Sequence, residues 1–361
     1  MPIHEEMSNE HNINISIYGW NNTLHELKQT SAYHAMLHGR VTVVHRTCYE
    51  VIAEDGLFQC ELTGNMLYGK SASELPCTGD WVTFQPFDEH KGIILDMLPR
   101  ERTLYRRKSG TVADKQAIAA YVDKAFIVQG LDDNFNVRRA ERFMVQILEE
   151  NIQPVLVLNK ADLPFDKQQV LAAIQHLSNQ MPVFFTSTHQ PETILALKES
   201  ISTGETVVFV GSSGVGKSSL VNALCGEQSL LTSHISESTG KGRHTSTRRE
   251  MVLMDGAGVL IDTPGVREFG LVLDNPDALE QALEISDYAD ACRFRDCQHI
   301  NEAGCAVIAA VQEGALDQKV YESYLKLRRE AWHYTASKHE KKKWERSFTK
   351  IVEEAKKISK H

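Results

Sequence analysis

The chain has 361 residues, 42% hydrophobic and 24% charged, with a net charge of −9 and seven cysteines. That length suits two or three domains of about 150 residues each, and no apolar run approaches the ~18 residues of a membrane span. The polar start Met1-Pro-Ile-His-Glu-Glu lacks a signal peptide's layout, and an odd cysteine count in a large chain fits a reducing cytoplasm rather than a disulfide framework.

Residues 1–35 are polar and mixed, and we read them as an N-terminal extension with a short helix around Thr23–Ser31. Over 36–105 the texture changes to short alternating strands: Arg40–His45, Cys48–Ile52, Phe58–Leu62, Asp80–Gln85 and Gly92–Leu95, separated by turn signals such as Glu54-Asp-Gly56. Five short strands in some sixty residues predict a small β-barrel, an OB-fold first and an SH3-like barrel as the alternative. A basic connector with Arg100, Arg102, Arg106, Arg107 and Lys108 follows, either tracking a phosphate backbone or simply solvated.

Residues 106–272 read as α/β. Lys124–Gln129 and Pro154–Leu158 are strands apolar enough for a parallel sheet covered on both faces. Val137–Glu150 is an amphipathic helix, followed by helical 167–178, strand Val183–Phe185 and helical 191–201. Beyond these, Glu205–Val210 leads into Gly211-Ser-Ser-Gly-Val-Gly-Lys-Ser218, and a helix-like Ser219–Cys225 follows. This is the strand, G-x-x-x-x-G-K-S loop and helix of a P-loop. Gly211, Ser212, Ser213, Gly214, Val215, Gly216 and Ser219 would wrap the phosphates, largely through backbone N–H groups. Lys217 would reach the β- and γ-phosphates, and the Ser218 hydroxyl would bind Mg²⁺.

Further motifs specify the base. Asn159-Lys160-Ala-Asp162 is an N-K-x-D loop at a strand end, where the Asp162 carboxylate would accept from guanine's N1–H and exocyclic amine. Thr186-Ser187-Thr188, at the end of the next strand, could close over the base. Asp262-Thr-Pro-Gly265 fits a D-x-x-G switch, with Asp262 holding Mg²⁺ through water and the Gly265 N–H at the γ-phosphate. Between P-loop and switch, the polar loop Thr239–Thr247 offers Thr245, or Thr247, as the threonine that senses Mg²⁺ and the γ-phosphate. The N-K-x-D loop precedes the P-loop, whereas ordinary GTPases have it afterwards; the same parts are circularly permuted.

With this order, a barrel in front and a Cys/His motif behind, the chain resembles the circularly permuted GTPases of the RsgA (YjeQ/YloQ) family. The match runs from about Gly39 to the C-terminal helices. The resemblance implies an OB-fold front domain, a zinc-bound helical rear domain, and a partner in the small (30S) ribosomal subunit and its rRNA. It implies GTP hydrolysis to GDP and phosphate in late subunit maturation, slow alone and accelerated by the subunit.

Residues 273–361 are mostly helical, broken by Cys292-Arg-Phe-Arg-Asp-Cys297-Gln-His299-Ile-Asn-Glu-Ala-Gly-Cys305. Three thiolates and an imidazole suit one closed, structural zinc site; the alternative is buried cysteines beside a chance histidine. Family resemblance carries zinc onto Cys292, Cys297, His299 and Cys305. Cys48, Cys60, Cys77 and Cys225 are expected as small core residues.

The residue after the switch glycine is Val266, which cannot orient a water as glutamine does in Ras-like switches. His244 is the candidate for that role, the alternative being a surface histidine in a polar loop. The tail from Lys338 to His361 carries nine Lys or Arg against four Glu, a possible rRNA contact or a solvated face. A GTPase assembly factor is therefore expected, cytoplasmic and monomeric. The alternative is a GTP-dependent rRNA-binding module in which hydrolysis is incidental.

Overall fold

In a computed structural model the chain divides into two compact units, 1–109 with 114–269, and 110–113 with 270–361. The structure describes residues 12–68, 70–71, 73–107, 115–226, 249–262 and 276–335.

The first unit begins with a 3₁₀ turn at Ile15–Tyr18 and the helix α1 (Asn22–Thr30). Asn21 caps α1 by accepting the Leu24 N–H at 3.0 Å, which satisfies one of the helix's orphan donors. Trp20 packs 4.9 Å from Trp81, fastening this stretch to the barrel.

The barrel comprises β1 (Leu37–Val44), β2 (Tyr49–Ala53), β3 (Gly56–Leu62), β4 (Trp81–Asp88) and β5 (Lys91–Met97). The strands run in the order β1-β2-β3-β5-β4, and β4 closes back on β1. Closure removes free edges. All neighbours are antiparallel except β3 and β5. That parallel pair is possible because a long connection, including the short helix α2 (Gly64–Leu67), separates β3 from β4. The first half of β1 pairs with β4 and the second with β2, its register shifting between Val41 and Val43. Val41, Val51, Phe58, Cys60, Val82, Phe84 and Ile94 fill the interior.

Beyond the barrel, β6 (Leu104–Arg107) and β7 (Lys115–Ala119) form a two-stranded antiparallel pair. Here the sequence reading needs correction. Arg100 neither tracks a phosphate backbone nor sits in solvent. Its Nε donates to Asp80 Oδ1 at 2.8 Å and its Nη2 to Asp80 Oδ2 at 2.6 Å, with Asp80 fully buried. Arg102 pairs with Asp123 at 3.2 Å. A basic run in sequence cannot reveal that its acidic partners lie just before remote strands, Asp80 before β4 and Asp123 before β8.

The α/β part contains β8 (Lys124–Gly130), β9 (Gln153–Asn159), β10 (Val183–Thr186), β11 (Thr206–Val210), β12 (Glu250–Leu253) and β13 (Val259–Asp262). Their order is β10-β9-β8-β11-β13-β12, parallel except for β12. Every residue of β11 and all but the first of β8 and β9 are buried or nearly so, as in strands covered on both faces. The accompanying helices are α3 (Val137–Glu149), α4 (Lys167–Ala173), α5 (Gln175–Ser178), α6 (Pro191–Glu199) and α7 (Lys217–Cys225). The helix expected over 167–178 is thus broken in two, at Ile174. The core joins Phe126, Val157, Leu197, Val207, Phe209, Leu220 and Leu260. Through a Val43–Glu250 pair, β12 also bonds β1, so barrel and α/β part share one 11-stranded sheet.

The second unit is helical among its described residues: α8 (Pro276–Ala282), α9 (Ser286–Ala289), α10 (Ala306–Gln312) and α11 (Gln318–Thr335). Among the described residues no helix is long and apolar enough to cross a membrane. Of the four cysteines expected in cores, Cys60 and Cys77 are buried and Cys48 and Cys225 half-buried.

Candidate active site

Parallel strands carry their C-terminal ends to one edge of a sheet, where ligands bind in open α/β folds. In this chain β9 delivers Asn159, β10 Thr186, β11 the P-loop and β13 Asp262 to that edge. The P-loop backbone needs left-handed or otherwise forbidden geometry at its glycines. Gly216, at φ +95, precedes the first residue of α7, and a Cβ there would stand 2.2 Å from Asn159 Nδ2. A Cβ on Gly211 would meet Val128 O at 2.5 Å. These two glycines permit the close approach of backbone that a phosphate cradle requires.

The N-K-A-D loop braces the P-loop from behind. Asn159, 4% exposed, donates from Nδ2 to Val215 O at 2.9 Å, and its Oδ1 accepts from Thr186 Oγ1 at 3.2 Å. Lys160, at φ +64, donates from Nζ to Gly214 O at 2.7 Å and to Asp132 Oδ2 at 2.6 Å. Asp162 accepts from Ser187 Oγ at 2.5 Å, and that bond holds its carboxyl below the usual carboxylate range. The group is therefore an ionised acceptor at neutral pH. Ser187 also accepts the His189 N–H at 3.1 Å, fixing the loop after β10. So two side chains of the N-K-A-D loop, Asn159 and Lys160, are hydrogen-bonded directly to backbone carbonyls of the P-loop.

Lys217 Nζ lies inside the P-loop and donates to Gly211 O at 2.6 Å and Ser212 O at 2.7 Å. Ser218 and Ser219 occupy the first turn of α7, and Ser213 is exposed. Asp262 ends β13, beside the P-loop strand. His244, Thr245 and Gly265 lie outside the described residues, as do Thr247, Val266 and the basic tail from Lys338.

Sequence reasoning missed two participants. Asp132, on the loop after β8, holds Lys160, and that ion pair keeps its carboxyl low. Arg139, in the first turn of α3, donates from Nη1 to Ser212 Oγ at 2.8 Å. No spacing rule connects either residue to a P-loop more than seventy positions away. The nearest local signal was Asn136, a helix-capping residue that fixes where Arg139 begins its turn.

In the second unit Cys292, Cys297, His299 and Cys305 bring their donor atoms within 4.8 Å of one another. Cys292 and Cys305 sulfurs are 3.8 Å apart, and His299 Nδ1 is 3.5 and 3.4 Å from them. A tetrahedral ion bound at ~2.3 Å to sulfur has edges of about 3.8 Å, so the donor set fits one metal ion. The Ala306 N–H donates to Cys292 Sγ at 3.3 Å, favouring a thiolate. His299, at φ +55, turns Nδ1 toward the sulfurs and Nε2 toward Glu280 Oε1 at 3.6 Å. Tyr324 donates to the same carboxylate at 2.9 Å, and Tyr321 to His299 O at 2.7 Å, so α11 secures the loop.

Comparison with known proteins agrees with this geometry. A family model described as RsgA GTPase matches residues 97–272. The chain is 71% identical to the small ribosomal subunit biogenesis GTPase RsgA 1 of Bacteroides thetaiotaomicron, across 97% of this chain and 99% of that one. The chain belongs to the RsgA GTPase family. As a member of that family it is a GTP hydrolase. A second model, described as 50S ribosome-binding GTPase, matches residues 206–351. It starts at the first residue of β11 and so leaves β9 and the N-K-A-D loop outside, consistent with a permuted motif order. Among solved structures, YjeQ from Thermotoga maritima matches with a TM-score of 0.63 at 27% identity, over 82% of this chain and 98% of that one. The structure of YloQ, described as a circularly permuted GTPase, matches at the same TM-score and 24% identity, over 85% and 98%; it bears on the fold alone.

Proposed function

We propose that this RsgA-family chain is a cytoplasmic, monomeric GTPase that binds the small ribosomal subunit late in maturation and hydrolyses GTP, with the subunit accelerating turnover. One observation carries the guanine-nucleotide reading: N-K-A-D side chains donate directly to P-loop carbonyls, so base recognition and phosphate binding form one rigid unit. The subunit as partner comes from the relative's function. Asp162, kept ionised by Ser187, would accept from guanine's N1–H and amine; adenine lacks matching donors there.

In the reaction, backbone N–H groups from Gly211 to Ser219 would orient the phosphates, and Lys217 would turn from the loop carbonyls to the β- and γ-oxygens. Ser218, Thr245 and Asp262 would hold Mg²⁺, which neutralises charge on the phosphates. The Gly265 N–H would contact the γ-phosphate and His244 would orient the attacking water. Subunit binding would favour the arrangement in which His244 and Gly265 meet the nucleotide, lowering the cost of assembling the site. We read the functional parts as extension 1–35, barrel 36–105, permuted GTPase part 106–272 and helical part 273–361. The strand order β1-β2-β3-β5-β4, closed on β1 with β3 and β5 parallel, supports an OB-fold suited to rRNA. Cys292, Cys297, His299 and Cys305 would hold one zinc ion as a structural cross-link, with no open position for a reactive water.

Val266 favours a second reading, a GTP-dependent rRNA-binding module with incidental hydrolysis, because an apolar side chain there cannot orient water. The test is steady-state GTP hydrolysis alone, with small subunits and with large subunits. Strong stimulation by small subunits only, lost in Lys217→Ala, supports the trigger mechanism. Absence of stimulation by either overturns it in favour of the binding module.

A further inference from the structure

The P-loop is held from outside at several points, and they are not equivalent. Its rear half is tied through Val215 O to Asn159 and through Gly214 O to Lys160. Its front half is tied by Lys217, through Gly211 O and Ser212 O, and by Arg139, through Ser212 Oγ. The Lys217 tie cannot persist once that ammonium turns to phosphate oxygens. Arg139 then remains as the side-chain tie seen on the front half among the described residues.

Its placement is set by the local chain. Asn136 caps α3 by accepting the Arg139 N–H at 3.0 Å, which fixes the Arg139 backbone. Asp132 accepts the Asn134 N–H at 3.0 Å, closing the loop before the helix. Nη1 also lies 3.4 Å from Asn134 O, so one arm of the guanidinium joins this loop to the P-loop. A planar guanidinium has five N–H donors and stays charged, so it can keep Ser212 while its other arms remain available.

Building on the guanine-nucleotide reading, we propose that Arg139 is a positioning residue that keeps the front half of the P-loop shaped for phosphate when Lys217 leaves it. It acts through Ser212 and needs no contact with nucleotide.

The test is a double-mutant cycle on binding of fluorescent GDP and a non-hydrolysable GTP analogue, using Arg139→Ala, Ser212→Ala and the double variant. Each single change is expected to weaken both nucleotides about tenfold, which corresponds to about 1.4 kcal/mol. The double variant should lose no more than either single one, since they remove the same bond. Arg139→Lys should recover part of the loss, KM should rise with kcat little changed, and nucleotide-free melting temperatures should match. Wild-type affinity in Arg139→Ala would overturn the proposal, as would losses that multiply in the double variant. A wild-type chain that binds no guanine nucleotide would instead overturn the underlying site reading.

Discussion

Two glycines of the P-loop share a left-handed backbone but differ in surroundings, and the difference predicts how each tolerates a methyl group. Gly214 has φ +84, and a Cβ there has its nearest neighbour, Asn134 Nδ2, at 3.9 Å. Gly214→Ala therefore carries only the left-handed penalty of about 1–2 kcal/mol. Gly216 has φ +95, and its Cβ would stand 2.2 Å from Asn159 Nδ2. Asn159 must then give up its 2.9 Å bond to Val215 O. A buried polar group left without its partner costs about 1–3 kcal/mol more. At about 1.4 kcal/mol per tenfold, Gly214→Ala should weaken GDP binding roughly 5- to 30-fold and Gly216→Ala roughly 30- to 4,000-fold.

Titration with a fluorescent GDP analogue measures both, and Asn159→Ala in the Gly216→Ala background separates clash from strain. Removing the amide removes the clash, so the double variant should bind no worse than Gly216→Ala alone. Equal losses in the two glycine variants would refute the reasoning, because strain alone would then account for both. So would fully additive losses in the double variant.

Asp162→Asn should lower GTP affinity at least ~100-fold, since the amide no longer offers guanine two acceptors. The same variant should prefer XTP, whose base presents a carbonyl where guanine has its amine; a variant still preferring GTP would count against Asp162 as base reader. In the second unit, purified protein should contain one zinc per chain, and Glu280→Ala should speed its release to a chelator about 10- to 100-fold by freeing His299 Nε2. Unchanged release would show that Glu280 matters only to Tyr324. Burial, reinforced by the nearby Lys28 ammonium, pushes the His38 imidazole down to about 4. An unfolded chain takes up that proton near pH 6.5, so stability is full above 6.5 and falls as pH drops from 6.5 towards 4. Melting temperatures across that window should fall more steeply for the wild type than for His38→Gln, and parallel slopes would disprove the linkage.

The placement of the motif segments was legible in the sequence because short-range spacing sets their local geometry. The P-loop glycines, Asn159 through Asp162 and the Cys/His loop are each contiguous segments whose local geometry requires those residue types. The barrel strands were found within a few residues for the same reason, since alternation is local. Contacts between segments remote in sequence were not legible. Arg100 looked like part of a basic connector until Asp80, twenty residues away and just before β4, accounted for its charge. Strand β7 was missed because Lys115–Ala119 is short and pairs with β6, a stretch read as part of a basic connector. Arg139 reaches Ser212 across 73 positions, and only the β8–β11 pairing brings them together.

That pairing also explains why a permuted chain keeps the chemistry. Phosphate binding depends on which strands are neighbours and which edge their ends share, not on the order in which the chain visits them. In this sheet β11 lies between β8 and β13, so its loop is reached from one side by Arg139 and by Lys160, which Asp132 holds, and on the other has Asp262 beside it. A second connection runs through β12. With β12 bonded to β13 on one side and to β1 on the other, the barrel joins the strand that follows residues 239–247 in the chain. β12 and β13 share four paired positions, whereas β12 and β1 share one, Val43 with Glu250. A ligand pulling on the barrel would therefore act on the start of β12, at Glu250, while the rest of the strand stays anchored to β13.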